Sequence, residues 1–386
     1  MTTPNARGLP AGFHRITSRP LGTYQTAVVR IGVSATWLAL LIREWPNRHG
    51  LYGPDGPLDF AAASQQAKLN GAFSALLWFD GPLWFELAYL FAMVASVALL
   101  LGWRTRTASV LFMIGVLSVH NRNAIIGDGG DNLTHLMAIY LVGSRCGEVW
   151  SLDVRRLRRG LPPLDLGGLA LWSALGAALT AVTALGQLSA GWAAVFWATW
   201  FVHGVWWAVR RYSPAGPRAA CDMIANLLHN SALLLIIVQM CVLYATAGWY
   251  KIQGTRWQDG TAVFYPMRID EFRPWPALSD LLVSSSMVVL VLTYATVIVQ
   301  VAFPFTLLNR RAKNLLLVLL IAEHAGIAVL LGLPFFSMAV ISADLVFLPT
   351  SFLLWVDRRA TRLFRTSRAV EPTAPEPSKE LATVAT

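Results

Sequence analysis

Ten apolar stretches punctuate the chain, over residues 26–45, 83–101, 107–121, 132–145, 168–186, 191–209, 226–249, 283–308, 314–332 and 335–355. Most are long enough for a helix rising about 1.5 Å per residue to cross a hydrocarbon core about 30 Å thick. The pattern therefore predicts an all-α polytopic membrane protein of about ten transmembrane helices with no sizeable soluble domain. The third and fourth stretches are short and flank a polar loop, Asn121 to Asp131, in which Gly127, Gly129 and Gly130 interrupt helix formation. They are expected to be tilted or to dip in from one side.

The polar intervals add a topology. With the N-terminal tail placed in the cytoplasm, 22 of the 31 Lys and Arg residues fall in the inner segments. Eight fall in the outer ones, and Arg30 lies within the first span. Every inner loop is basic, as the positive-inside rule requires. The expectation is a multi-pass protein of the cell membrane with both termini cytoplasmic. Its parts are a tail (1–24), a membrane domain (25–355) and a basic, then Pro-, Ala-, Thr- and Glu-rich tail (356–386), the last part too polar to build a core.

Composition agrees. Of the 386 residues 55% are hydrophobic and only 13% charged, against about 25% charged in soluble proteins. The formal charge of +10 is carried by short loops facing anionic lipid, so the partner it implies is the bilayer, not nucleic acid. Cys146, Cys221 and Cys241 are scattered and odd in number, which indicates neither a disulfide framework nor a zinc site. The first 24 residues lack an apolar core of their own, so the first span is expected to serve as the insertion signal.

On this topology the chemically pointed segments share the outer side. They are Leu51 to Gly56, His120 to Asn123, Gly127 to Asn132, Tyr244 to Ala262, and Gly332 to Ser337. The Asp-Gly pair at Asp55-Gly56 fits a turn. Asp128, Asp131 and Asn132 could meet a cation, but they lack calcium-loop spacing, and no Gly-Lys-Ser or Gly-Lys-Thr follows for phosphate; no metal is assigned. Lys251 ends a long apolar helix between Tyr250 and Ile252, with Trp249 and Trp257 near it. It is either an interfacial lysine snorkelling beside an aromatic belt or a lysine whose apolar pocket lets it act as a base. Within the spans lie Arg30, Glu86, His135, His203, His229, Glu323, His324 and Asp344. Such groups need partners or a polar cavity; Arg30 countering a carboxylate is one solution, and a proton relay or ligand-lined cavity is the other.

These residues carry a resemblance. Arg122-Asn123 with the Gly-Asp loop, Trp150-Ser151-Leu152-Asp153 and above all Tyr244 to Thr261 resemble the HTTM (horizontally transferred transmembrane domain) family. That family includes vitamin K-dependent γ-glutamyl carboxylase and the membrane protein B of the sporulation-delaying toxin operon. The similarity covers roughly residues 24–153 and 221–349, about two-thirds of the chain. It implies that Lys251 matches the second lysine of the carboxylase pair, the proposed base toward reduced vitamin K. Tyr250 replaces the first lysine, and a carboxylase histidine falls near Asn132. Phe335-Phe336-Ser337 is similar to a late carboxylase segment, with His324 before it. The implied cofactor is a reduced quinone of vitamin K or menaquinone type. Arg122, Asn123, Asp128, Asp131, Asn132, Tyr244, Trp257, Asp259 and His324 are the expected substrate- or ligand-binding residues beside Lys251. The resemblance does not reach a large lumenal domain, and two spans within 154–220 have no counterpart, so glutamate carboxylation itself is not carried over.

Three functions follow. A quinol-dependent, carboxylase-like or oxidoreductase-like enzyme requires a base at Lys251 beside a quinone-sized cavity. A non-enzymatic maturation or assembly factor for a secreted peptide, implied by the toxin-operon protein, requires an open groove. A transporter would show broken helices in matching halves, and no internal repeat is visible.

Overall fold

The computed structural model describes residues 9–54, 56–160 and 166–368, and among them every element is helical. Twelve principal helices follow in order: α1 (Leu9–Ser18), α2 (Thr23–Glu44), α3 (Pro82–Leu101), α4 (Thr105–Arg122), α5 (Gly129–Gly143), α6 (Leu166–Ala184), α7 (Ala190–Tyr212), α8 (Ala215–Gln253), α9 (Ser286–Ala302), α10 (Arg310–Leu330), α11 (Pro334–Asp344) and α12 (Thr350–Arg368). Their limits are set by ordinary end signals. Pro82 and Pro334 occupy first helical positions, Asn309 and Ser285 cap α10 and α9, and Gly102 closes α3 in the left-handed conformation.

Six described segments are long and apolar enough to cross a membrane: Thr23–Tyr52, Pro82–Leu101, Leu166–Ala184, Ala215–Gln253, Ser286–Thr306 and Arg310–Leu330. The protein is thus a multi-pass helical membrane protein, with fewer such helices than the ten apolar stretches. Each shortfall has a reason. Helix α4 is interior: Phe112, Val116, Leu117, Ser109 and Ser118 are all buried, so its surroundings are protein and its hydropathy can be low. Helix α5 has 15 residues. Helix α7 draws its apolar surface from Trp192, Trp197, Trp200, Trp206 and Trp207, whose indole N–H groups lower its hydropathy. The stretch 335–355 is not one helix, because α11 ends at Asp344, a 3-10 turn spans Leu345–Phe347, and Pro349 cannot continue a helical ladder.

Helix α11 sits between α2, α5 and α10, while α3 and α4 pack together beside α2. Small residues allow the closest approaches. A Cβ on Gly32 of α2 would fall 2.6 Å from Ser342 Oγ and 3.2 Å from Ser342 Cα, so α2 and α11 meet nearly backbone to backbone. Helix α8 has 39 residues, about 58 Å of rise, longer than a bilayer about 45 Å thick with its headgroups. Its N-terminal half holds the end of α1 and the segment that follows it. Asn226 Nδ2 donates to Thr17 O (2.9 Å), and Asn230 both donates to Ile16 O (2.7 Å) and accepts from Leu21 N (2.8 Å). His229 accepts from Arg145 N at Nδ1 (2.9 Å) and faces Leu21 O through Nε2 (2.7 Å).

Arg30 is fully buried. It does not depend on a carboxylate bond: Nη1 donates to Leu99 O (3.0 Å) and Nη2 to Trp150 O (2.7 Å). Nearby, Asp153 accepts from Arg104 N (2.8 Å), Thr105 N (2.7 Å) and Thr105 Oγ1 (2.7 Å), closing the start of α4. The Trp150 to Asp153 motif is therefore a structural joint.

The chain from Leu348 onward forms a separate compact unit. Its described part is α12, where Phe352 and Trp355 stack at 5.8 Å and Arg359 lies over the Trp355 ring. The Pro-, Ala- and Thr-rich end of the 356–386 tail lies outside the described residues.

The close contact of α2 and α11 predicts opposite outcomes for two glycines. Gly32→Ala should lower stability by about 1–3 kcal/mol through overpacking. Gly326→Ala in α10, where a Cβ meets nothing within 4 Å, should raise it by about 0.5–1 kcal/mol. Thermal unfolding of both variants in detergent checks the pair.

Candidate functional site

The first part of the site depends on a glycine. Gly248 lets α8 approach α9 so closely that a Cβ there would lie 2.5 Å from Val301 Cγ2. Three residues later, Lys251 Nζ donates to Gln300 Oε1 at 2.8 Å. Gln300 Nε2 in turn donates to Glu323 Oε1 of α10 at 2.5 Å. The two bonds fix the amide, with its oxygen toward the ammonium and its nitrogen toward the carboxylate. Trp257, in the short helix Thr255–Gln258, places its ring 5.2 Å from Lys251 Nζ in a cation–π contact. A lysine, an amide and a carboxylate thus form one line across α8, α9 and α10.

The second part lies beside it. His324 is 3% exposed, and neither ring nitrogen has a hydrogen-bond partner among the described residues. Its ring centroid is 5.7 Å from Phe336 and 6.4 Å from Tyr244. Tyr244 Oη donates to Asp344 Oδ2 at 2.6 Å, with both residues fully buried. Asp344 Oδ1, Ser337 Oγ and Glu323 Oε2 are likewise without partners there. Buried polar atoms are nearly always paired, and leaving one unpaired costs about 1–3 kcal/mol. Five such atoms on four residues of α10 and α11 are a concentration that packing alone does not favour. They can accept or donate to a polar group brought among them.

The Gly-Asp loop reaches this cluster from behind. Asp128 caps α5, its Oδ1 accepting from Gly130 N (2.7 Å) and Asp131 N (3.0 Å), while Asp131 Oδ2 accepts from Asp128 N (3.0 Å). This is a reciprocal capping box. Gly129 and Gly130 press on α11: a Cβ on Gly130 would fall 2.7 Å from Phe336 Cα. Phe336 therefore separates the loop from His324 and touches both. Burial pushes the Asp131 carboxyl up to about 6, with Asp128's charge adding to it.

The remaining sequence candidates hold loops. Arg122, nearly fully buried, donates to Leu58 O and Gly53 O, both at 3.0 Å, and Asn123 Nδ2 donates to Leu51 O at 2.9 Å. Together they brace the chain after the short helix Arg48–Tyr52; Asp55, at the turn expected there, lies outside the described residues. Asp259 accepts from Thr261 Oγ1 (2.5 Å) and Thr261 N (3.0 Å), which hold its carboxyl below the usual range and brace the left-handed turn at Gly260. Asn132 is exposed. So Lys251 stands with Trp257, His324 stands with Tyr244, and Asp128 and Asp131 back onto them through Phe336. Gln300 joins the halves, although its side chain carries no ionisable group. A lone amide within the apolar stretch 283–308 was the available signal. Ser337 and Asp344 complete the set.

No family model, curated protein or solved structure matches the chain.

The raised Asp131 carboxyl predicts a pH dependence. A folded-state value of about 6 against an ordinary value of 3.8 means the fold binds the proton more tightly than the unfolded chain does. The associated stability is fully present below about pH 4 and is lost as pH rises through 6. Asp131→Asn, which keeps an acceptor for Asp128 N, should remove that fall in thermal midpoint between pH 4 and 6. An unchanged slope in the variant would assign the effect to another group.

Proposed function

We propose that this protein is an HTTM-like integral membrane enzyme in which Lys251 removes a proton from a lipid-soluble acid of the reduced-quinone class. The observation that supports the reading is the Lys251–Gln300–Glu323 line, with His324 next to Glu323 in α10 and unpartnered buried polar atoms on His324, Ser337 and Asp344 among the described residues. Ten spans, both termini in the cytoplasm and a place in the cell membrane belong to the same reading. They rest on the basic inner loops and put Lys251 at the outer surface.

The polar side chains suit the hydroxyl of such a group, while the cavity of about 350 Å³ lies elsewhere, between α3, α4, α6 and α7. His324 and Ser337 offer unfilled donors and acceptors in an apolar surround that includes Phe336 and Phe303. A reduced quinone, when bound, supplies an acidic hydroxyl. Lys251 in its neutral form takes that proton at Nζ, so that one O–H bond is broken and one N–H bond is formed. Glu323, one amide away, favours the resulting ammonium, and Gln300 holds the two at a fixed separation. Trp257 covers the ammonium with its π face and limits water at Nζ. Tyr244 keeps Asp344 in place by hydrogen-bonding one carboxyl oxygen, leaving the other for the site.

The alternative, a maturation or assembly factor for a secreted peptide, is favoured by one observation. Tyr265, Ile269 and Trp275, in the segment between α8 and α9, expose large apolar side chains of the kind that dock a peptide.

Lys251→Arg decides between them. Arginine keeps the charge but cannot give up its proton near neutral pH. The measurement is proton release from reduced menaquinone added to purified protein in detergent, followed by the quinol's ultraviolet spectrum. A loss of about 100-fold or more in rate is expected, with thermal midpoint retained. Equal rates in the two proteins would leave Lys251 as an interfacial anchor.

A further inference from the structure

A second region of the molecule is built differently. Helices α6 and α7 form a hairpin held to itself by a symmetric pair of tryptophans. Trp172 and Trp200 stack at 4.0 Å, and each indole N–H donates to the other's backbone carbonyl, at 3.1 and 3.0 Å. Each ring also covers a glycine of the opposite helix. A Cβ on Gly176 would lie 2.7 Å from Trp200, and one on Gly204 would lie 2.8 Å from Trp172. The hairpin thus satisfies its own packing and leaves a slot of about 350 Å³ between itself and α3 and α4.

The slot is apolar along its walls, with Leu87, Phe91, Leu111 and Leu175 among the lining side chains. Along α6 it is lined from Gly168 to Val182, about 21 Å of helix rise, longer than one leaflet's share of a core about 30 Å thick. Its two ends differ. One is closed by aromatic rings: Phe73 meets Phe196 at 4.9 Å and Trp192 at 5.3 Å, and Trp78 meets Trp84 at 5.9 Å. The other is lined by Arg104, Thr107 and His203. Just outside it, Arg106 and Arg210 lie 4.2 and 5.1 Å from the Trp206 ring. A long apolar channel with Arg104 and Arg106 at one mouth, Arg210 there being paired with Asp222, matches a molecule with one long hydrocarbon chain and one anionic head.

We infer that the slot between the α6–α7 hairpin and α3–α4 binds a membrane lipid with an anionic phosphate headgroup. One chain lies along α6, and the phosphate sits at Arg104, Thr107 and His203. This end carries the basic loops, which face the anionic leaflet. The site is distinct from the Lys251 cluster, since the two share no residue. The lipid would fill a gap that the hairpin's self-contained packing leaves, fixing α6 and α7 to the bundle.

The test uses the full chain in nanodiscs of equal parts phosphatidylglycerol and phosphatidylcholine, with retained lipid measured by native mass spectrometry after mild release. Phosphatidylglycerol should be retained about tenfold over phosphatidylcholine, the equivalent of about 1.4 kcal/mol. Arg104→Gln should abolish the preference. Ala178→Trp, which fills the slot from α6, should lose the lipid while the protein stays folded. If that variant does not fold, Ala88→Trp on the opposite wall gives the same reading. Equal retention of the two lipids by the natural protein, or undiminished retention in a folded slot-filled variant, would overturn the proposal.

Discussion

Arg30 sits where α2, the end of α3 and Trp150 meet, with no solvent exposure; two main-chain carbonyls accept hydrogen bonds from Nη1 and Nη2, and only Nε is left without a partner among the described residues. That arrangement expresses the constraint under which the rest of the molecule is organised. In a hydrocarbon surround, polar groups cannot turn to water, so each must be met by another part of the protein. Asp153 meets the open N-terminus of α4, Arg122 meets the carbonyls of the chain after the short helix Arg48–Tyr52, and His229 bridges Arg145 to Leu21. These bonds join segments far apart in sequence. They make polar side chains the stitches of an otherwise apolar bundle.

Against that background, one concentration of buried groups that are not met stands out among several isolated ones. His324, Ser337 and one oxygen of Asp344 lie among well-packed neighbours, yet have no partner among the described residues. The surrounding structure holds them firmly: α11 is pressed on α2 through Gly32, and the Gly-Asp loop is pressed on Phe336. Rigid walls around unsatisfied polar atoms are what a site needs if its groups are to act on an incoming molecule instead of relaxing onto one another. The same small-residue packing sets the reach of Lys251, because Gly248 brings α8 near enough to α9 for its ammonium to find Gln300.

The α6–α7 hairpin follows the opposite rule. Trp172 and Trp200 satisfy their N–H groups on each other's helix, and the hairpin meets the rest of the bundle where Trp192 donates to Gly71 O and Phe196 packs on Phe73. Apolar space is left between the two, at no polar cost. The molecule therefore contains two kinds of opening, one defined by unmet polar atoms and the other by unmet apolar surface.

The apolar runs and the scarcity of charge determined that this is a helical membrane protein, because bilayer thickness and backbone satisfaction leave few alternatives. They also drew attention to Lys251, Tyr244 and His324, since polar residues at helix ends or within spans are costly wherever they occur. Hydropathy could not separate helices that face lipid from one such as α4, enclosed by protein, because both solve the same burial problem with different side chains. Nor could it tell which polar residues are stitches and which are left open. Arg122, Asn123 and Asp259 have the same residue chemistry as ligand-binding groups, and only the carbonyls and hydroxyls placed beside them by the fold decided that they brace loops. Gln300 became part of the Lys251 line for the same reason: its partners are 49 residues before it and 23 after it in the chain, and helix packing alone brings them together.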